Sequence, residues 1–350
     1  MRLKAVFCAA LFVCLLFSTK PVKAQSFENA GDYLGYIGKA NEELTVTYLS
    51  YMSAVAHNRA KKVEKRRMDL LTMITDTRYK IQGMPAWKGD KSFRDSSVAY
   101  IKLLNNVFND DYGKIVNMEE IAEQSYDLME AYMLAQEKVG EKLHEAAERQ
   151  NELQKKFAAK YDVRLINSET DIDRKGNEVE ALMKHHDEVY LTFFKPYKQD
   201  MYLTEAVNKK DIVAIEENKN SMKKFAEEGL EKLRKFKGYN NDPSLIIACR
   251  QALDFYKKEA DQTQTITDFF LKEDNFNKTK KAFDSKPASK RTQADVDAYN
   301  KAVNDFNEAV NSYNKVNKQL NKDRDKALNE WNDTVKKYLD DYMPVQRKVS

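Results

Sequence analysis

Glycine, proline and cysteine are scarce in this chain, and each shortage excludes something. Ten glycines and six prolines in 350 residues are too few to punctuate many short strands. No run of alternating β-branched residues marks a sheet. Cys8 and Cys14 lie close to the N terminus, which leaves Cys249 alone and excludes an internal disulfide in the rest of the chain. Cys249 sits in the apolar stretch LIIACRQAL, where a buried, inert thiol is expected. Long apolar runs are also missing. The unbroken one, Ala5 to Phe17, is short of the ~20 residues that a helix needs to span a bilayer.

That run has another explanation. Arg2 and Lys4 precede it, and Val22-Lys23-Ala24 follows as a small-x-small cleavage site. Residues 1–24 therefore read as a signal peptide, with a mature start at Gln25 and an exported product in the periplasm or on the outer surface. Neither leader cysteine follows a small residue, so lipidation is not expected. The leader carries Arg2, Lys4, Lys20 and Lys23 and no acid. Removing it takes the 59 basic residues down to the number of acidic ones, 55. The basic surplus of the full chain is thus discarded, and with it the bulk attraction that nucleic acid or anionic lipid requires. Neither a nucleic-acid partner nor a transmembrane span after cleavage is predicted.

What remains is rich in Lys, Glu, Ala, Leu, Asn and Asp, and it predicts an all-α fold. The expected form is an elongated bundle of long antiparallel helices with a coiled-coil-like helix at the C terminus. Ile37, Leu44, Tyr48, Tyr51 and Val55, continued by Val63, Leu70, Ile74 and Ile81, give one apolar face over about 29–82. Gly83-Met84-Pro85 ends it. A short helix follows over 92–108, with Ser92 and Asp95 resembling a capping box, then a turn at 109–113 and a long helix over about 117–161. The polar stretch 167–176 predicts a linker, dividing an N-terminal bundle (25–166) from a C-terminal one (167–350). The second half predicts a helix over 177–195 with Pro196 as a kink or break, and another over 211–236. A third starts behind Asp242-Pro243 and runs to about Leu271, before a second linker at 284–291.

The last helix holds an internal repeat over 298–325: AYNKAVN, DFNEAVN, SYNKVNK, QLNKDRD. Tyr299, Val303, Phe306, Val310, Tyr313 and Leu320 form a seam with coiled-coil spacing, weakened by Asn317 and Arg324, and Trp331 and Tyr338 return to it. An intramolecular helical hairpin satisfies this seam, and so does homo-oligomerisation through it.

No constellation carries chemistry strongly. Glu141 and His144 make a single E-x-x-H, whereas di-iron bundles need two. His185 and His186 point about 100° apart and do not share a metal readily. No glycine-rich phosphate loop or G-x-S-x-G turn is present. Neither a catalytic residue nor a cofactor is predicted. Gly31, Gly35 and Gly38 suggest close helix approach. Tyr190, Phe193, Phe194 and Tyr197, around Pro196, suggest bundle core or an aromatic groove. The candidate binding residues are Arg59, Lys61, Lys62, Lys65, Arg66 and Arg67, which could hold an anionic lipid, glycan or peptide. The competing expectation is that this basic stretch is neutralised on a neighbouring helix by the acidic stretch 110–130.

Two segments, HNRAKKVEKRR (57–67) and GDKSFRDSSVAYIKLLNNVFNDDYGKIVNMEEIAEQSYDLMEAYMLAQEKV (89–139), resemble a group of exported helical surface proteins of Gram-negative bacteria. The resemblance covers about the first third of the mature chain. It implies an envelope or surface location and supplies no catalytic residues. Together these readings predict a non-enzymatic interaction or structural protein. A binding module is the alternative, and a bundle metalloprotein a remote one.

Overall fold

The computed structural model describes residues 26–56, 60–111, 122–165 and 170–344. The expected signal peptide (1–24) and Arg59 lie outside them. Every regular element among the described residues is helical, so the fold is all-α. The helices are α1 (Ala30–Ala56), α2 (Ala60–Gln82), α3 (Ser92–Asn106), α4 (Tyr126–Lys160), α5 (Asp171–Lys209), α6 (Ile212–Leu233), α7 (Ser244–Gln262), α8 (Gln264–Asp284) and α9 (Gln293–Tyr342). None of them is long and apolar enough to cross a membrane.

The single helix expected over 29–82 is instead the hairpin α1–α2. Lys80 reaches back to Glu43 (3.4 Å), and the Tyr33 hydroxyl donates to the Pro85 carbonyl (3.2 Å). Burial drives the fold-back. One helix of that length would run about 80 Å and leave its apolar stripe without a partner. Folded, Tyr33, Ile37, Leu44 and Tyr51 close on Leu70, Ile74 and Ile81, with Ile101 of α3 and Phe157 of α4 completing the core. Each such side chain contributes roughly 1.5–3 kcal/mol when fully buried.

Several local expectations change. Ser92 does not cap α3: the N-cap is Lys91, which makes no side-chain cap bond. Asp90 takes that role, accepting from the Ser92 amide (2.8 Å), Lys160 Nζ (2.6 Å) and the Tyr161 hydroxyl (2.9 Å). It thereby ties the start of α3 to the end of α4. Residues 107–111 form a π-helical turn. The long helix α4 starts at Tyr126, where Glu123 and Gln124 turn and Ser125 Oγ accepts from the Leu128 amide (3.2 Å); the expected start near 117 lies outside the described residues. Within the expected linker at 167–176, residues 171–176 are helix, while 167–169 lie outside the described residues. Thr170 and Asp173 form a reciprocal capping box that opens α5 at Asp171.

Pro196 neither breaks α5 nor ends it. The helix runs on to Lys209 with Pro196 buried inside it. Proline removes the amide that would bond to the Thr192 carbonyl, and at this point α6 comes unusually close. A Cβ on Gly229 would lie 3.2 Å from Thr192 Cγ2, 3.6 Å from the Thr192 carbonyl oxygen and 2.8 Å from Leu253 Cδ1. The glycine that permits close approach is therefore Gly229. Gly35 and Gly38 face open space, and a Cβ on Gly31 would meet chiefly its neighbour Asn29.

The helix expected to end near Leu271 divides at Thr263 into α7 and α8, and α8 continues to Asp284. A turn with one short 3-10 segment (Ala288–Lys290) then reverses the chain into α9, about 75 Å long. The C-terminal half of α9 packs into the bundle through Leu320, Ala327, Trp331, Tyr338 and Leu339. Its N-terminal half covers α8, and the two make an arm. Phe269 stacks on Tyr313 (4.5 Å), Phe276 on Phe306 (5.0 Å) and Phe283 on Tyr299 (4.7 Å), with Arg291 closing the end over Phe283 (4.2 Å). The heptad seam is thus satisfied within the chain.

Candidate functional site

The basic stretch opens α2. Lys61, Lys62 and Lys65 are exposed. Arg66 pairs with Asp69 (3.1 Å). Arg67 pairs with Glu64 (2.9 Å) and donates to the Phe108 carbonyl (3.3 Å). Its hydrogen bond holds the Glu64 carboxyl below its ordinary range. Both described arginines find an acid one turn away on their own helix; the expected pairing with the acidic stretch falls in part on residues outside the described ones. Within that stretch Asp110 accepts from Asn109 (2.8 Å) and Glu130 from the Tyr126 hydroxyl (3.0 Å). Lys114, Glu119 and Glu120 lie outside the described residues.

The histidines are placed by packing. His144 points to solvent beside Glu148 (3.4 Å), one turn away from the expected partner Glu141. His185 lies between two partners: Nε2 faces the Lys237 carbonyl (2.9 Å) and Nδ1 the Tyr338 hydroxyl (3.0 Å). A carbonyl only accepts, so the proton sits on Nε2 and Nδ1 accepts from Tyr338. Among the described residues no group of three or more His, Cys, Asp or Glu side chains is placed to hold a metal ion. Cys249 is buried, its Sγ 3.8 Å from the Val189 carbonyl, and burial pushes its thiol far above the ordinary value.

The aromatic cluster around Pro196 is core. Phe193 stacks on Trp331 (4.3 Å) and Tyr197 (5.4 Å). Phe194 joins Ala122 and Met129 in a small cluster that bridges to the N-terminal bundle. Burial raises the Tyr190 hydroxyl well above its ordinary value. A shallow cleft of 400 Å³ lies along the outer part of α8, lined by Asn277, Lys280, Lys281, Asp284 and Ser285.

The most unusual group lies in the bundle interior, where α5, α7 and α9 meet. The Arg324 guanidinium grips Asp200 with two donors, Nε to Oδ2 (3.2 Å) and Nη2 to Oδ1 (3.1 Å). Nη2 also donates to Glu259 Oε1. Asp200 and Glu259 are 4% and 2% exposed, so both carboxyls share one cation away from water. Burial, and then the Asp200 charge, push the Glu259 carboxyl well above the ordinary carboxylate range, which favours an uncharged acid beside a compensated Asp200–Arg324 pair. Phe255 lies under the guanidinium (6.0 Å). Glu259 Oε2 and the Tyr256 hydroxyl, one turn apart on α7, are buried with no hydrogen-bond partner. Tyr256 is likewise held well above its ordinary value by burial.

Sequence reasoning flagged Arg324 only as a weak point of the seam and missed its partners. A signal was present. Leu245, Cys249, Ala252, Tyr256 and Glu259 fall on one helical stripe, as do Phe193, Tyr197, Asp200 and Leu203. An acid on an apolar stripe needs a cation opposite it, and Arg324 is the cation on the facing seam. The arrangement can hold a proton and fix three helices to one another. No protein-family model, no curated protein and no solved structure matches this chain.

Proposed function

We propose that the chain is an exported, non-enzymatic helical protein of the periplasm or outer cell surface that works through protein or envelope contacts. The observation that carries this reading is the arm. α8 and the first half of α9 bury their aromatic rungs on each other and turn charged faces outward. Such a hairpin extends reach without enclosing a substrate. The leader-like segment 1–24 and the resemblance to exported surface proteins support the location.

Fractionating cells that express the full chain tests it. The expected product is found in the envelope or medium and is shorter by the length of residues 1–24. Full-length protein retained in the cytoplasm overturns the reading. Photo-crosslinking from the arm at Glu308, against a control at Arg250 on α7, tests the contact. Both residues are exposed. Discrete adducts from Glu308 alone are expected, and equal labelling from both positions counts against the arm.

A second reading rests on Lys61, Lys62 and Lys65, which face solvent together where α2 begins. They would bind an anionic ligand. Cosedimentation with anionic and zwitterionic vesicles tests the lipid form. Binding confined to anionic vesicles, and lost on changing the three lysines to glutamate, is expected. Arg66 and Arg67 are the wrong residues to change, because their charges are already engaged by Asp69 and Glu64.

A further inference from the structure

We propose that Asp200, Glu259 and Arg324 form a proton-operated latch at the root of the arm, holding α9 on α5 and α7. Position is the first support. The buried residues of α8 end at Phe270, and α9 has none between Ala302 and Leu320. Arg324 lies one turn beyond Leu320, and Glu259 one turn before the α7–α8 junction at Thr263. The cluster therefore sits where the arm joins the bundle. Lys258 and Asp323 (2.7 Å) add an exposed pair alongside.

Charge is the second support. α5 presents Asp200, with the Tyr197 hydroxyl near Asp200 and Tyr256. α9 presents Arg324, and α7 presents Glu259 and Tyr256. From α6, Lys223 and Glu227 pair outward with Asp261 and Lys257, and Glu216 takes Lys219 and the Thr267 hydroxyl of α8. Thr263 and Thr267 bring no charge. With Glu259 protonated, one anion and one cation remain, and the site is neutral. Releasing that proton to solvent puts two buried carboxylates against one guanidinium. The second carboxylate has an unpartnered oxygen and no other cation within the cluster. The excess negative charge weakens the α5–α7–α9 contact, and the arm root opens.

Trp331 reports on this directly. It stacks on Phe193 of α5 and lies two turns beyond Arg324. One other tryptophan, Trp87, is in the chain, and Trp87→Phe removes its signal. In that background, emission of the full chain is followed from pH 6 to pH 10.5, with amide exchange of 264–284 and 293–320 referenced to unstructured peptides at each pH. Burial raises the Glu259 carboxyl while the arm is docked, so docking weakens as pH rises from the ordinary carboxylate range towards that raised value and levels off beyond it. The expected result is one sigmoidal change within that window, with faster exchange in the arm root on its alkaline side, each pH unit inside the window lowering the ratio of docked to open root up to about tenfold. Glu259→Gln keeps an acceptor for Arg324 and cannot titrate, so its curve stays flat and docked. A flat wild-type curve overturns the proposal. So does an unchanged transition in Glu259→Gln, which assigns it to a tyrosine or lysine. If Glu259→Gln does not fold, Asp200→Asn serves: removing the like charge must move the midpoint down, and an unmoved midpoint is equally fatal.

Discussion

Replacing Arg324 with methionine separates the charge of the buried cluster from its packing. Methionine keeps an apolar stem near Phe255 and removes the guanidinium that Asp200 and Glu259 share. Glu259 is already protonated and loses one hydrogen bond. Asp200 is left as an uncompensated carboxylate that is 4% exposed. Removing one partner of a buried pair costs about 3–5 kcal/mol. For a bundle of this size each kcal/mol moves the melting temperature by roughly 2–4 °C, so a fall of roughly 6–20 °C is expected. Thermal and urea unfolding at pH 7, followed by far-ultraviolet circular dichroism, measures it. Adding Asp200→Asn to Arg324→Met removes the stranded charge and should restore most of the loss, a coupling that a double-mutant cycle reads directly. A loss under about 1 kcal/mol, the level of an exposed pair, would mean that water reaches the cluster and that the burial reasoning fails.

Other consequences are simpler. Gly229→Ala places a methyl 2.8 Å from Leu253 Cδ1 and should destabilise by about 1–3 kcal/mol, whereas Gly35→Ala, which meets nothing within 4 Å, should be neutral or slightly stabilising in chemical denaturation. Asp90 is held well below the carboxylate range by Lys160, Ser92 and Tyr161. A depressed folded value means that its stabilisation is present above about pH 4 and is lost as pH falls. Asp90→Asn should therefore flatten the acid limb of stability against pH. Cys249 should react with iodoacetamide no faster than the C-terminal bundle opens, in line with its buried thiol; rapid labelling of folded protein contradicts the packing.

The helical class was legible because periodicity reports burial, and burial is what the helices share. Where helices stop was less legible. Nothing in Ala54–Lys62 is glycine or proline, yet α1 and α2 fold back on each other. The break comes from the gain of closing Ile37 and Leu44 on Leu70 and Ile81, a tertiary effect that no local residue announces. Pro196 misleads in the opposite sense. Its local rule predicts a break, but Thr192, one turn before it, faces a glycine on α6, and packing carries the helix through. The three glycines at helical spacing in α1 looked like a contact face and are not; Gly229, alone in its helix, is. The candidate site divides in the same way. The basic stretch was visible as composition, but which of its charges remain unengaged depended on i,i+3 partners. The acid–arginine cluster draws its members from three helices: each acid is visible as a carboxylate on an apolar stripe, but the cation it meets is set by how the helices pack.

The arm shows what a heptad repeat does and does not specify. Tyr299, Phe306 and Tyr313 recur every seven residues, and so do Phe269, Phe276 and Phe283. The pairs Phe269–Tyr313, Phe276–Phe306 and Phe283–Tyr299 are all centred on Arg291, in the turn between the two helices. Identical rungs fit any partner with the same spacing, including a second copy, which is why the seam alone left two answers. The matching set lies just upstream, reversed about a polar turn, and this symmetry selects the hairpin. Phe306→Ala tests the consequence. It removes the stack on Phe276 and a contact with Phe269 (6.1 Å). A buried Phe→Ala costs about 3–5 kcal/mol; this rung is half-buried, so about 1–3 kcal/mol is expected. Because the arm joins the bundle only near Phe270 and Leu320, the loss should stay local. Amide exchange in 271–284 and 293–316 should rise by one to two orders of magnitude, the counterpart of that energy, while Trp331 emission is unchanged. If exchange in the arm does not move, another surface covers the seam and the hairpin is not what holds it; if Trp331 emission shifts as well, the arm and the bundle are one cooperative unit.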